Sequence, residues 1–219
     1  MKIIISLLIL ATFPVLNIYS QTIITDRPDQ TESSSTVPKG SFQIETGLSL
    51  EYVKSDGINY QNWYGPSNLF RVGLTDFIEL RVVTSLVNLK NIGKEYSTTG
   101  ISDLEVGGKV KLYNTKNGKF ILGFLSHLVI PTGSDDLTNS KYGTINKLAL
   151  SYSLSDNIGL SCNFGYDYFG DGNGNLVYSF ATGYSLTDKL GLYAEVYGDV
   201  DNLKDNYSSF DAGFTYLIR

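Results

Sequence analysis

The 219-residue sequence holds one cysteine, one histidine, one methionine and one tryptophan, and only 18% of its residues are charged. A single cysteine cannot build an internal disulfide framework, and one cysteine with one histidine cannot supply a Cys/His zinc site within a chain. No metal and no cofactor are expected. Basic residues are scarce as well: 17 Lys and Arg stand against 22 Asp and Glu, for a net charge of −5. Phosphate neutralisation needs a basic face, so nucleic acid is not expected as a partner. Beyond residue 20 no stretch approaches 18 consecutive apolar residues, which excludes crossing a bilayer by helices. The charged fraction lies below the soluble average of about 25%. Glycine, tyrosine and phenylalanine are plentiful, at 22, 16 and 11 residues, a composition suited to a β-rich protein with unusual solvent demands.

The beginning of the chain is a different kind of segment. Lys2 precedes an apolar run from Ile3 to Leu16, and Ser20 is a small residue suited to the position before a cleavage site. Residues 1–20 therefore read as a cleaved secretory signal peptide, too short in its apolar part for a spanning helix of about 20 residues. Residues 21–41 are rich in Thr, Ser, Asp and Pro and lack any alternation, so they form an N-terminal extension or plug rather than a strand. Residues 42–219 form the main domain.

Within that domain apolar residues recur at every second position. Phe42, Ile44, Leu48, Leu50 and Tyr52 alternate with Gln43, Glu45, Gly47, Ser49 and Glu51, the pattern of a strand with one apolar and one polar face. Similar alternation covers 67–74, 77–88, 102–113, 119–131, 142–154, 158–169, 176–186, 189–200 and 207–218. These ten segments are joined alternately by tight turns and by longer connections at 54–66, 89–101, 132–141, 170–175 and 201–206. Strands of this length, with short turns on one rim and long loops on the other, predict an all-β, transmembrane antiparallel up-and-down β-barrel of about ten strands. Charged residues largely keep to the phase opposite each apolar row, as Glu45 and Glu51, Glu79 and Arg81, and Glu195 and Asp199 do, which a lipid-facing row requires. Tyr52, Tyr113, Phe120, Tyr142, Tyr152, Phe169, Tyr184 and Tyr207 lie near segment ends, where interfacial girdles belong. A secreted sandwich or lipocalin-like barrel would show the same periodicity with its apolar row turned inward; the leader, the girdle and the rim asymmetry favour the membrane. Segment 119–131 is apolar on both faces and does not discriminate.

Ten strands about 4.8 Å apart and tilted roughly 40° enclose a backbone diameter of about 20 Å. The residues expected to line this lumen are Glu45, Arg71, Glu79, Arg81, Asp103, Glu105, Lys109, Lys111, Lys147, Asp167, Glu195 and Asp211. Acids and bases mix, so they can pair across strands and fill the barrel, or border a polar path without strong ion selectivity. The expected partners are outer-membrane lipid, a small-molecule solute and the barrel-insertion machinery.

Catalysis has little to work with. Any acid–base triad must use His127, and Ser126 lies on the opposite face of the same strand, although Asp135 and Asp136 follow in the next loop. Gly170 to Asn175 alternates oxygen ligands like a calcium loop, but lacks the glutamate and the glycine at the required places. Trp63 and Tyr64, in the first long connection, suit a headgroup interface. Cys162 alternates with Leu160 and Phe164 as a small hydrophobe.

Several stretches carry a family resemblance: Thr25-Asp26-Arg27-Pro28-Asp29-Gln30-Thr31-Glu32, Val37 to Gly47, Arg71 to Arg81, Gly100 to Lys109, and Pro131-Thr132-Gly133-Ser134. In this order and spacing they resemble the MetA-pathway of phenol degradation family of outer-membrane β-barrels, over nearly the whole chain after the leader. The resemblance implies an outer-membrane channel or carrier and leaves its substrate open; the function expected is a channel or transporter for small solutes, hydrophobic or aromatic compounds among them, and no enzyme activity is expected. The competing reading is a non-conducting structural or adhesive barrel, with an outer-membrane hydrolase third.

Overall fold

In a computed structural model the described residues are 23–218, except 28, 56–57 and 94–95; the signal-peptide reading of residues 1–20 lies outside them. Eleven strands form one antiparallel sheet: β1 (Phe42–Ser55), β2 (Ile58–Thr75), β3 (Ile78–Asn91), β4 (Tyr96–Ile101), β5 (Leu104–Asn114), β6 (Phe120–Ile130), β7 (Gly143–Ser153), β8 (Ile158–Tyr168), β9 (Asn175–Ser185), β10 (Leu190–Asp201) and β11 (Asp205–Tyr216). The only helical element among the described residues is a single turn at Asp135–Leu137. Strand order follows the chain from β1 to β11, with β4 set against one half of β3. Ile78 to Val83 pair with β5 and Leu86 to Asn91 pair with β4. β4 and β5 are thus one stave, interrupted at Ser102-Asp103, and the wall has ten staves.

The break is closed by the turn after β6. Gly133 N donates to Asp103 Oδ1 (2.9 Å), Leu104 N donates to Thr132 Oγ1 (3.1 Å), and Ser134 N donates to Ile101 O (2.9 Å). A Cβ at Gly133 would stand 2.9 Å from that Asp103 oxygen, so the turn fits only because the position is bare.

Two expected boundaries shift. The connections at 54–66 and 89–101 are largely strand: β1 and β2 pair out to Ser55 and Ile58, and β3 pairs with β4 out to Asn91 and Tyr96. Their residues mix polar and apolar side chains on both faces, which hides the period of two from a hydrophobicity reading. Trp63 therefore lies on β2, opposite Leu50, rather than in a loop.

The distribution of apolar groups is inverted relative to a water-soluble barrel. Among the described residues seven hydrophobic ones are buried, against thirteen polar or charged ones that include Arg71, Glu79, Arg81, Lys109 and Glu195. Leu48, Leu80, Leu128, Leu148, Phe164, Phe180, Val196, Phe210 and Phe214 are all exposed on the convex face. A continuous belt of this kind is stable against hydrocarbon and not against water. The apolar row therefore faces lipid, and the lipocalin-like alternative does not hold.

The second apolar face of β6 has a separate cause. Gly123, Leu125 and Val129 point inward, Leu125 is 1% exposed, and the backbone of Ser34 passes so close that a Cβ at Gly123 would meet Ser34 O at 2.7 Å. The N-terminal segment covers this part of the wall. It runs through the concavity without forming a strand, and rejoins the sheet where Gly40 N donates to Gly73 O (2.8 Å) and Gly73 N donates to Ser41 O (3.0 Å). β1 and β11 are the two edges of the sheet, with no ladder between them among the described residues.

Candidate functional site

Alternation sends Arg71 (β2), Glu79 and Arg81 (β3) and Lys109 (β5) to the inner face, each at most 1% exposed. Three buried cations on adjacent strands need anions, because unpaired charge in a low-dielectric interior is very costly. Glu79 supplies one: Oε1 accepts from Arg71 Nε and Arg81 Nη1, both at 3.0 Å, and Oε2 accepts from Arg71 Nη2 at 3.0 Å. Glu45 accepts from Arg71 Nη1 at 2.8 Å.

The remaining anions come from the N-terminal segment. Asp26 receives Lys109 Nζ on both oxygens (2.9 and 2.7 Å), receives Arg81 Nη1, and lies 3.3 Å from Arg71 Nη1. Glu32 accepts from Arg81 Nη2 at 2.6 Å. Burial alone would raise the pKa of Asp26, but Lys109, Arg81 and Arg71 outweigh it and hold the carboxyl well below the usual range. His127 closes the cluster, since Arg81 Nε donates to its Nε2 at 3.0 Å and its Nδ1 lies 2.9 Å from Glu105 Oε2. As acceptor at Nε2, the ring carries its proton on Nδ1, toward Glu105. Ser126 is engaged elsewhere, with Asn146, so no Ser-His pair is assembled.

The same segment is bound to the opposite wall. Glu195 accepts from Gln30 N at 2.7 Å and from the Thr31 hydroxyl, Glu32 N donates to Asn163 Oδ1 at 2.7 Å, and Ser34 Oγ donates to Ser151 Oγ at 2.8 Å. Asp29 lies near Glu195, Asp211 and Asp26; burial first, and then the Glu195 carboxylate, push its pKa up to about 7.

Of the twelve expected lumen residues, the network unites Glu45, Arg71, Glu79, Arg81, Glu105, Lys109 and Glu195. Lys147 and Asp167 lie apart from it on β7 and β8, where they border cavities, and Asp211 lies on β11 with its Oδ1 buried and without a partner among the described residues. Lys111 is half-buried and outside the network. Asp103 departs from its expected place: it sits in the gap between β4 and β5 and holds the turn at Gly133. Tyr207, expected in the girdle, pairs with Asp199 and borders the inner cavity. Sequence reasoning missed Asp26, Glu32 and Asn163. The available signal was a surplus of inward cations on β2, β3 and β5, beside a polar segment that carries Asp26, Asp29 and Glu32.

Among the described residues four cavities border the segment: one of about 520 Å³ beside Arg27, Gln30, Tyr64 and Asp211, and three that share lining residues in succession. Of these three the first, about 240 Å³, lies between β7 and β11 beneath Gln30; the second, about 250 Å³, shares Gln30 and Lys147 with it; the third, about 540 Å³, shares Arg27 and Asp29 with the second and reaches Ser155 to Gly159 at the short-turn rim.

A single up-and-down antiparallel sheet, apolar outside and charged within, is the wall of an outer-membrane β-barrel. Residues 25–219 match the family described as "Putative MetA-pathway of phenol degradation", and the chain belongs to that family. Its fold is similar to that of the COG4313 outer membrane channel from Pseudomonas putida F1, at 14% identity and a TM-score of 0.60, over 81% of this chain and 77% of that one. No curated protein matches it in sequence.

Proposed function

We propose that this chain is an outer-membrane channel for small solutes, with residues 23–41 acting as a plug that leaves a narrow polar route beside it. The observation that carries this reading is the succession of cavities with shared lining residues, from between the outer ends of β9–β11, past Arg27, Asp29 and Gln30, to the short-turn rim. Lys147, Asp167 and Glu105 line that route, while Arg71, Glu79 and Lys109 are committed to holding the plug. Family membership and the likeness of the fold to a solved outer-membrane channel both support this reading. Solutes pass by diffusion, without covalent chemistry. Tyr197 and Tyr207 in the first cavity suit aromatic compounds among the solutes.

Planar-bilayer recording on refolded protein tests this. Among the described residues the Arg27 side chain makes one hydrogen bond, at 3.0 Å to Ser67, so Arg27→Ala with Gln30→Ala removes two side chains that border the route without dismantling the ionic cluster. The expected result is a small unitary conductance that rises at least twofold in the double variant. No conductance from either protein would leave a filled, non-conducting barrel. His127→Ala addresses the hydrolase reading, which requires a turnover lost in that variant.

A further inference from the structure

The first cavity carries a pair of charges that the plug does not use. Lys147 and Asp167 face it from neighbouring strands, since Lys147 is opposite Gly165 and Asp167 follows two residues later on the same face. Gly165 has no side chain where a Cβ would lie 2.7 Å from Lys147 Cγ, so the lysine stem lies across the strand toward β9. Among the described residues Lys147 has no carboxylate within 4.0 Å, although it lies close enough to Asp167 to act on it electrostatically, and Asp167 Oδ1 is buried with no hydrogen-bond partner among them. Opposite this pair, Tyr197 on β10 and Tyr207 on β11 border the cavity with Val177 and Asp199. The volume of about 240 Å³ falls below the roughly 300–1,000 Å³ of drug-sized pockets and fits a small metabolite.

These groups select by charge. A simple anion would meet Asp167 and Asp199, a simple cation would leave Lys147 unpaired, and a hydrocarbon would leave both Lys147 and the Asp167 oxygen unsatisfied. A molecule with one carboxylate, one ammonium and one aromatic group answers all of them. We propose that this cavity is a subsite for a small zwitterion, an α-amino acid with an aromatic side chain. Its carboxylate pairs with Lys147, its ammonium with Asp167, and its ring packs on Val177, Tyr197 and Tyr207. The assignment deepens the channel reading and, as a step on a transport route, rests on it.

Titration calorimetry on the refolded full chain in detergent tests the subsite with L-phenylalanine, 3-phenylpropionate and phenethylamine. The expected result is saturable binding of phenylalanine and at least tenfold weaker binding of the two analogues, which lack the ammonium and the carboxylate respectively. Lys147→Gln should weaken phenylalanine at least tenfold and leave phenethylamine unchanged, while Asp167→Asn should spare 3-phenylpropionate. Equal affinity for the three compounds, or no saturable heat with phenylalanine, overturns the proposal. The three-ligand comparison on the parent protein needs no variant, so a misfolded variant does not remove the test. Swelling of protein-bearing liposomes in arabinose separates the two readings. Swelling without phenylalanine binding removes the subsite and keeps the channel; phenylalanine binding without swelling removes the channel and keeps a binding site.

Discussion

Asp26 shows how one side chain can fix a whole segment. Its carboxylate is the shared partner of Arg71, Arg81 and Lys109, so Asp26→Asn leaves three buried cations with one anion fewer. Removal of one member of a buried ionic cluster typically costs about 3–5 kcal/mol. Asp26→Asn should lower the temperature at which the folded band disappears in heat-shift gels, and Asp26→Glu should restore part of the loss. Because the Asp26 pKa is depressed in the folded chain, its contribution is complete above the ordinary carboxylate value of about 4 and disappears only under stronger acid. Asp29 behaves in the opposite sense. With its pKa raised to about 7, its contribution is complete below about 4 and is lost as pH rises to 7. Protection of the Gln30 amide, which donates to Glu195, against hydrogen exchange should therefore fall between about pH 4 and pH 7, and Asp29→Asn should abolish that change.

At the scale of the element, each strand reads two solvents at once, and this is the part of the fold that alternation makes legible. Phe180 is at the centre of β9, opposite Cys162 and Val196, all on the lipid side. Phe180→Arg should cost about 2–4 kcal/mol in urea unfolding from lipid vesicles, with Phe180→Leu close to neutral. Alternation alone set the phase of Glu45, Arg71, Arg81, Lys109 and Glu195. It failed where both faces are alike, at the mixed ends of β1–β4 and at the doubly apolar β6. It could not reveal partners either: Arg81 and His127 are 46 residues apart, and Asp26 lies in a segment with no period at all. Register brings such residues together, and register is a property of the whole sheet rather than of any one strand.

For the whole molecule, the channel reading makes charge along the proposed route the property that decides which ions pass. The three cavities are lined by Asp26, Asp29, Glu32, Glu105, Asp156, Asp167 and Asp199 but only by Arg27, Arg81 and Lys147 as bases. The inward charges as a whole are mixed, yet those along the route are mainly acidic, which favours cations. Reversal potentials in a KCl gradient should show weak cation preference at about pH 8, reduced at about pH 5 as Asp29 takes up its proton. The edges of the sheet set a second requirement. In lipid no backbone donor can stay unpaired, so the edge amides of β1 and β11 must find partners there. Alternate amides of Ile44 to Leu50 and of Phe210 to Phe214 should exchange as slowly in vesicles as those of β6 and β7.

The route of the N-terminal segment also governs how the molecule can be handled. Ile24 and Thr25 border the cavity formed with Ser155 to Gly159, and Leu217 N bonds to Lys189 O on that same rim. Both ends of the described chain thus emerge into one compartment. An affinity handle placed ahead of Ile23 and another placed after the last strand would be captured, or cleaved, from the same side of a sealed vesicle.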